Sequence, residues 1–90
     1  MRVLQAGIFK RQVKKLHTPE KKRLDIAVRK IVKDPSIGNM KTGDLAGVQV
    51  YKFKHKTLQY LLAYRFDQGV QVLTLLALGT HENFYRGLKN

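Results

Sequence analysis

The chain contains no cysteine, one serine and six acidic residues, and it has no long apolar run. Without cysteine, neither a disulfide nor a thiolate metal site can hold the fold together. No apolar stretch approaches the roughly 18 residues that a membrane span needs. The residues that follow Met1 lack the apolar core of a secretion signal. Together these absences predict a cytoplasmic protein that does not act at a membrane.

The length of the chain predicts one domain, which we take as residues 1–90. Hydrophobic residues make up 43% of the sequence, which is enough for a globular core and too many for a disordered chain. A domain of this size buries only about 60–65% of the surface that its unfolded chain exposes. We therefore expect a folded domain with a thin margin of stability.

Positive charge is the strongest compositional signal. Eighteen Lys and Arg oppose six Asp and Glu, which gives a net charge of +12 and a pI near 10.3. Such an excess destabilises the compact state by self-repulsion and is typical of a protein with an acidic partner. Nucleic acid, an acidic protein and an anionic membrane are the candidates, and a merely soluble basic surface is the alternative. A membrane is disfavoured because there is no Trp and the apolar stripes are needed for the core.

Hydrophobic periodicity predicts an α+β fold of order β-α-α-β-β-β, with a mostly antiparallel sheet and a two-helix hairpin packed on one face. Thr18 is the predicted N-cap of the second helix, with Pro19 at its first position, and Pro35 ends that helix. Asp67-Gln68-Gly69 is a predicted hairpin turn. The predicted elements are a strand at 1–6, helices at 8–16 and 19–33, a loop at 35–47, strands at 48–54, 58–66 and 70–78, and a short C-terminal tail or helix.

The alternation of side chains along the second predicted strand suggests a functional face. Tyr51 and Phe53 point one way, toward the helices, and Lys52 and Lys54 point the other way. Two lysines on one strand face lie about 6.5–7 Å apart, which matches neighbouring phosphates. The alternative is that these lysines are solvated side chains of an open strand edge.

The segment after the last predicted strand gathers His81, Tyr85 and Arg86. Histidine is the side chain best suited to proton transfer near neutral pH, and a solvated tail histidine is the alternative. His17, His55 and His81 do not show the spacing of metal ligands, and carboxylates are scarce. We therefore expect neither a metal site nor a cofactor.

The two predicted helices carry basic faces suited to a phosphate backbone. Each Lys or Arg that contacts a phosphate adds affinity that does not depend on base sequence and that falls with salt. A solvated helix face is the alternative, and Arg23 and Lys33 belong to the same faces. The candidates for RNA and ribosome binding are Lys10, Arg11, Lys14, Lys15, Lys21, Lys22, Arg29 and Lys30.

The element order and three stretches of sequence resemble the RelE/ParE toxin superfamily over nearly the whole chain. The stretches are Gly43 to Lys54, Tyr60 to Tyr64 and Leu76 to Tyr85. The resemblance implies a toxin of a type II toxin–antitoxin system that cuts mRNA on the ribosome. It also implies an acidic cognate antitoxin as partner, and indirect contact with operator DNA through the antitoxin complex.

RelE-type members of the superfamily imply catalytic roles for Lys52, Lys54, His81 and Tyr85. The implied reaction is a metal-free attack of the ribose 2′-hydroxyl on the adjacent phosphorus. His81 would be the general acid or base, Tyr85 a positioning group or alternate acid, and the two lysines would stabilise the developing charge.

Leu61 departs from the pattern of RelE itself, which has a catalytic arginine at this position. Arg65 and Arg86 are candidates for the missing charge. The departure leaves two alternatives open. One is a ParE-like toxin that targets gyrase and has no nuclease activity. The other is a non-catalytic module that binds only the antitoxin and DNA.

Overall fold

Two helices precede the main run of strands, in the order that the periodicity predicts. The computed structural model describes residues 1–81, and the predicted C-terminal tail or helix, with Tyr85 and Arg86, lies outside them. Its elements are β1 (Arg2–Gln5), α1 (Gly7–Lys14), α2 (Thr18–Lys33), β2 (Asn39–Met40), β3 (Gln49–His55), β4 (Leu58–Asp67) and β5 (Val72–Thr80), with 3₁₀ turns at Pro35–Ile37 and Gly43–Leu45.

The five strands form one sheet in the order β1-β5-β4-β3-β2. The pairs β2–β3, β3–β4 and β4–β5 are antiparallel, while β1 runs parallel to β5. The sheet is therefore mostly antiparallel, as predicted. The chain leaves β1 through α1 and α2 before it enters the other strands, and β1 forms the edge of the sheet beside β5.

Both helices pack on the same face of the sheet, which confirms the predicted layers. Phe9 of α1 and three residues of α2 contact the face formed by β4 and β5. The Oε1 atom of Gln12 accepts a hydrogen bond from the N–H of Leu78 at 2.6 Å and ties α1 to β5. The buried side chains of this core are Phe9, Leu24, Ala27, Ile31, Tyr60, Leu62, Tyr64, Leu73, Leu75 and Leu78.

Helix α2 begins one residue earlier than predicted. His17, not Thr18, is the N-cap, so that Pro19 lies at the second helical position. The backbone N–H of His17 donates to Oε1 of Glu20 at 3.0 Å. The Glu20 carboxylate thus satisfies a donor at the start of the helix, which is why the helix extends to include Thr18.

The predicted loop at 35–47 contains two 3₁₀ turns and the short strand β2. Tyr64 holds the start of this segment: its hydroxyl donates to the carbonyl of Pro35 at 2.6 Å and accepts from the N–H of Gly38 at 2.8 Å. The amide of Gln49 donates to the carbonyls of Pro35 and Gly38. The prediction of a loop is incomplete because contacts with distant residues order this segment.

The opposite face of the sheet is buried over most of its length. Val48, Val50, Leu61, Ala63 and Ala77 form a second apolar cluster there. The side of β3 that points away from the helices is therefore buried up to Val50 and exposed at Lys52 and Lys54. The reason is compositional, since the inner positions on this face are apolar and the lysines begin beyond Val50.

Candidate functional site

Lys52 and Lys54 lie on β3 with exposed side chains, while Tyr51 and Phe53 are half-buried against the helix-side core. The predicted division of this strand into an apolar face and a basic face is confirmed. In the pairing with β4, Lys52 lies opposite Leu61, and Lys54 lies opposite Gln59.

His81 comes to the same end of the sheet from β5. Tyr60 pairs with Thr80, the last residue of β5, and His81 follows directly after that strand. Gln59, Thr80 and His81 line one recess of about 350 Å³, and His81 is exposed. Lys54 pairs with Gln59, which lines this recess together with His81. Two strand spacings, roughly 10 Å, separate β3 from β5, so long side chains from the two strands can reach toward one phosphodiester group.

Leu61 occupies the neighbouring row between Lys52 and Gly79. Its side chain is 0% exposed and belongs to the second apolar cluster with Val50 and Ala63. The middle of this row therefore carries an apolar side chain where RelE-type sequences have an arginine, and Gly79 adds no side chain.

Arg65 does not replace that arginine in the structure. It lies four residues along β4 from Leu61, opposite Thr74, and it is exposed. Its guanidinium lies beside Gly47, where an added Cβ would be 3.8 Å from Nε. Tyr85 and Arg86, the other two candidates, lie outside the described residues, so among residues 1–81 the structure brings together Lys52, Lys54 and His81.

A second recess of about 230 Å³ lies on the other side of β3, between that strand and α2. It is lined by Arg23, Ile26, Ala27 and Lys30 of α2 and by residues 51–54 of β3. Lys52 and Lys54 therefore line the recess shared with α2, whereas the recess that His81 lines is bordered by Gln59 and Thr80. Arg23, which the sequence places on the basic helix faces but not among the eight binding candidates, belongs to this region. Its spacing from Lys30, seven residues along the same helix, is the signal that marks a shared face.

All eight helix cations predicted to bind RNA and the ribosome are exposed. Arg29 forms an ion pair with Asp25 at 2.8 Å, one turn earlier on α2. Such an exposed pair is worth about 0–1 kcal/mol, so it does not hold Arg29 strongly. The role of these cations remains a prediction.

Three carboxylates accept hydrogen bonds from uncharged donors within the fold. Glu20 accepts hydrogen bonds from the Tyr60 hydroxyl at 2.5 Å and from the backbone of His17. Both hydrogen bonds lower the pKa of the Glu20 carboxyl, and the bond from Tyr60 has the larger effect. The same bond to Glu20, aided by burial, raises the pKa of Tyr60 to about 12. Asp34 and Asp67 accept from the backbones of the turns that follow them.

Among residues 1–81, no three His, Asp or Glu side chains cluster as they would around a metal ion. No helix within the same range has the length and apolar character that a membrane crossing requires.

Comparisons with known proteins place this geometry in context. A family profile described as "ParE-like toxin of type II bacterial toxin-antitoxin system" matches residues 3–89. A comparison with curated protein sequences returned no match.

Three solved structures share the fold. The RelBE toxin–antitoxin complex of E. coli is 18% identical, with a TM-score of 0.70, over 87% of this chain and 93% of that chain. The RelBE2 complex of Mycobacterium tuberculosis is 20% identical, with a TM-score of 0.70, over 89% and 96%. The YoeB/ParE toxin of Agrobacterium tumefaciens is 16% identical, with a TM-score of 0.73, over 90% and 99%. At these identities the likeness establishes the fold alone.

Proposed function

Because the chain belongs to the ParE-like toxin family of type II bacterial toxin–antitoxin systems, we propose that it inhibits translation as a ribosome-dependent mRNA endoribonuclease. One observation supports the proposal: the exposed Lys52 and Lys54 lie on one face of β3, and the exposed His81 follows β5 at the same end of the sheet, beside Gln59, the β4 partner of Lys54. Cations and a group that titrates near neutral pH are the components that metal-free RNA cleavage requires.

In the proposed reaction, the ribose 2′-oxygen attacks the adjacent phosphorus and the bond to the 5′-oxygen breaks. A base removes the 2′-hydroxyl proton and an acid protonates the departing oxygen, which yields a 2′,3′-cyclic phosphate and a 5′-hydroxyl. We assign proton transfer to His81, with Tyr85 as positioning group or alternate acid. Lys52 and Lys54 stabilise the charge that develops on the phosphoryl oxygens.

The proposed partners are an acidic antitoxin, the ribosome and mRNA, with operator DNA reached through the antitoxin complex. A toxin of the same fold has been solved as the RelBE complex with its antitoxin. The net charge of +12 supports partners that are polyanions or acidic proteins. The proposed target also places the action of the toxin in the cytoplasm.

The test is primer extension on a translated message after the toxin is induced. We expect cleavage by the parent protein, and a loss of about 10²–10⁴ in rate for His81→Ala, the range typical of a proton-transfer group. Lys52→Ala and Lys54→Ala should also lose cleavage. Arg2→Ala, which removes an exposed cation of β1 at the other end of the sheet, is the control and should cleave normally. Full cleavage by His81→Ala would exclude the proton-transfer role.

The buried Leu61 favours a second candidate function, a ParE-like toxin that targets gyrase without cutting RNA. An apolar residue between Lys52 and Gly79 removes one source of charge stabilisation from the proposed nuclease site. Growth arrest with DNA damage and an intact message would decide for this candidate. Absence of growth arrest would indicate a module that binds only the antitoxin and DNA.

A further inference from the structure

The recess beside His81 differs in chemistry from the recess beside α2. Its volume of about 350 Å³ falls in the range of sites for small molecules. The described residues that line it supply two hydroxyls, a carboxamide, an imidazole and an apolar side chain: Thr57, Leu58, Gln59, Thr80 and His81. The recess beside α2 is lined by four cations, Arg23, Lys30, Lys52 and Lys54. The two recesses therefore suit different parts of a nucleic-acid chain.

The tight turn between β3 and β4 forms one side of the recess beside His81. His55 ends β3 and Leu58 begins β4, so two residues make the connection. Lys56 in this turn has a φ of +56°, a left-handed conformation of the kind that two-residue hairpin turns use. The turn brings Thr57 and Leu58 to the wall of the recess, and Leu58 is 49% exposed. An exposed apolar side chain thus lines the recess together with the polar groups.

Gln59 has hydrogen-bonding capacity that the fold does not use. Its side chain is half-buried, and among residues 1–81 its carboxamide has no hydrogen-bond partner. The carboxamides of Gln12 and Gln49, in contrast, bond to the backbone of distant residues. A ligand that bonds to a half-buried polar group recovers part of the cost of removing that group from water. The donor and the acceptor of the Gln59 amide are therefore available to a ligand.

Gln59 also lies next to a cation of the candidate nuclease site. It pairs with Lys54 across β3 and β4, and directly opposed residues of an antiparallel pair have their side chains on the same face of the sheet. His81, which follows β5, lines the same recess as Gln59. A phosphate bound by Lys54 would therefore bring the attached nucleotide within reach of Gln59.

A nucleobase matches the amide of Gln59 better than a phosphate does. A phosphate offers acceptors alone, whereas a base edge can offer a donor and an acceptor side by side. The carboxamide of glutamine matches adenine, because its oxygen accepts from the 6-amino group while its nitrogen donates to N7. Guanine presents two acceptors at these positions, so the amide oxygen would meet a carbonyl oxygen.

We propose that this recess binds one base of the RNA substrate and that Gln59 gives it a preference for adenine over guanine. The proposal rests on the proposed function, because it takes single-stranded RNA as the ligand. The bound base is unstacked from its neighbours, as bases are when proteins read the edges of single-stranded RNA. Its ring contacts Leu58 and its N6/N7 edge bonds to Gln59, while the adjoining phosphate contacts Lys54.

Nuclear magnetic resonance tests the recess without any cleavage. The ¹⁵N-labelled toxin is titrated with adenosine 5′-monophosphate and, separately, with guanosine 5′-monophosphate. We expect the side-chain amide signals of Gln59 to shift, and the affinity for the adenine nucleotide to be at least about fivefold higher. The amide of Gln68, an exposed residue just past the opposite end of β4, is the internal control and should not shift. Equal affinities, or no shift at Gln59 with either nucleotide, would overturn the proposal.

Substitution of Gln59 tests the preference on a translated message. Primer extension over many sites gives the ratio of cuts at adenine to cuts at guanine. Gln59→Leu should lower this ratio at least about fivefold, whereas Gln68→Leu, the matched control, should leave it unchanged. A purely structural role of Gln59 would lower both kinds of cut alike. A ratio that is the same for the parent and Gln59→Leu would therefore overturn the proposal.

Loss of the nuclease and loss of the base site give different results. If the parent protein cuts no message, the nuclease proposal fails, and the nucleotide titration still decides whether the recess binds adenine through Gln59. If the parent protein cuts adenine and guanine sites alike and the Gln59 signals do not shift, the nuclease proposal stands and the base site is excluded.

Discussion

Leu61→Arg is the substitution that most directly tests how the candidate site is built. It restores the arginine that the RelE-type pattern has at this position, and it places that arginine where the structure has a side chain with 0% exposure. Leu61 packs with Val50, Ala63 and Ala77, and Lys52 lies directly opposite on the neighbouring strand. The new guanidinium would therefore meet an apolar cluster and a like charge.

The expected cost is large relative to the stability of the domain. Loss of a buried leucine side chain costs about 2–5 kcal/mol, and an unpaired buried charge adds several kcal/mol more. A domain of this length has a total free energy of unfolding of about 5–13 kcal/mol. We expect Leu61→Arg to lower the free energy of unfolding by at least about 4 kcal/mol and to leave the rate of mRNA cleavage no higher than that of the parent.

Urea denaturation followed by far-UV circular dichroism measures this loss through the midpoint and the slope of the transition. Leu61→Met is the matched control, because it conserves side-chain volume and should cost less than about 1.5 kcal/mol. Parent-like stability of Leu61→Arg together with faster mRNA cleavage would refute the reasoning. That result would mean that the position is open to the substrate and lacks only its charge.

Three further predictions concern stability, pH and salt. Tyr64→Phe leaves the buried N–H of Gly38 without its acceptor and should cost about 1–3 kcal/mol in urea denaturation; an unchanged midpoint would contradict the anchoring role of the hydroxyl. Because the pKa of Glu20 is lowered, this group should stabilise the fold above pH 4.5, and the stabilisation should be lost as the pH falls through the lowered pKa. Because the pKa of Tyr60 is raised to about 12, this group should stabilise the fold below pH 10, and the stabilisation should be lost as the pH rises toward 12. Tyr60→Phe should weaken both dependences in thermal melts, and identical pH profiles would count against the hydrogen bond. Ribosome binding should fall by about 10³ or more between 50 and 200 mM salt if about six phosphates are contacted. Lys14→Glu with Lys15→Glu should reduce the slope of log affinity against log salt concentration by about 2. The same substitutions should change the free energy of unfolding by no more than about 0.5 kcal/mol per site. Ribosome pelleting of the parent protein that does not depend on salt would exclude this mode of binding.

The elements that could be predicted are those whose signal lies within a few residues. The amphipathic spacing of α2 and the alternation of Tyr51, Lys52, Phe53 and Lys54 on β3 are local patterns, and the structure confirms both. Strand β2 was not predictable in this way. It depends on pairing with Gln49 and Val50 and on a segment held by Tyr64, which lies 26 residues from Gly38.

The candidate site, like the fold, could be predicted only where the signal is local. The two lysines on one strand face follow from the pleat of a β-strand, which any sequence of that alternation adopts. The position of His81 relative to Lys54, by contrast, depends on how β3, β4 and β5 pair. Register is set by the turns and by which apolar positions are buried, so it cannot be assigned from one strand alone.

Local patterns in the sequence predict the components of the fold: two amphipathic helices, a strand face with paired lysines, and an excess of positive charge typical of proteins with acidic partners. The surroundings of those residues follow from how the elements pack. This packing buries Leu61 on the face opposite the helices and brings Arg23 beside β3. The physical reason is that local patterns reflect the period of a helix or strand, whereas burial and proximity depend on contacts between residues far apart in the chain.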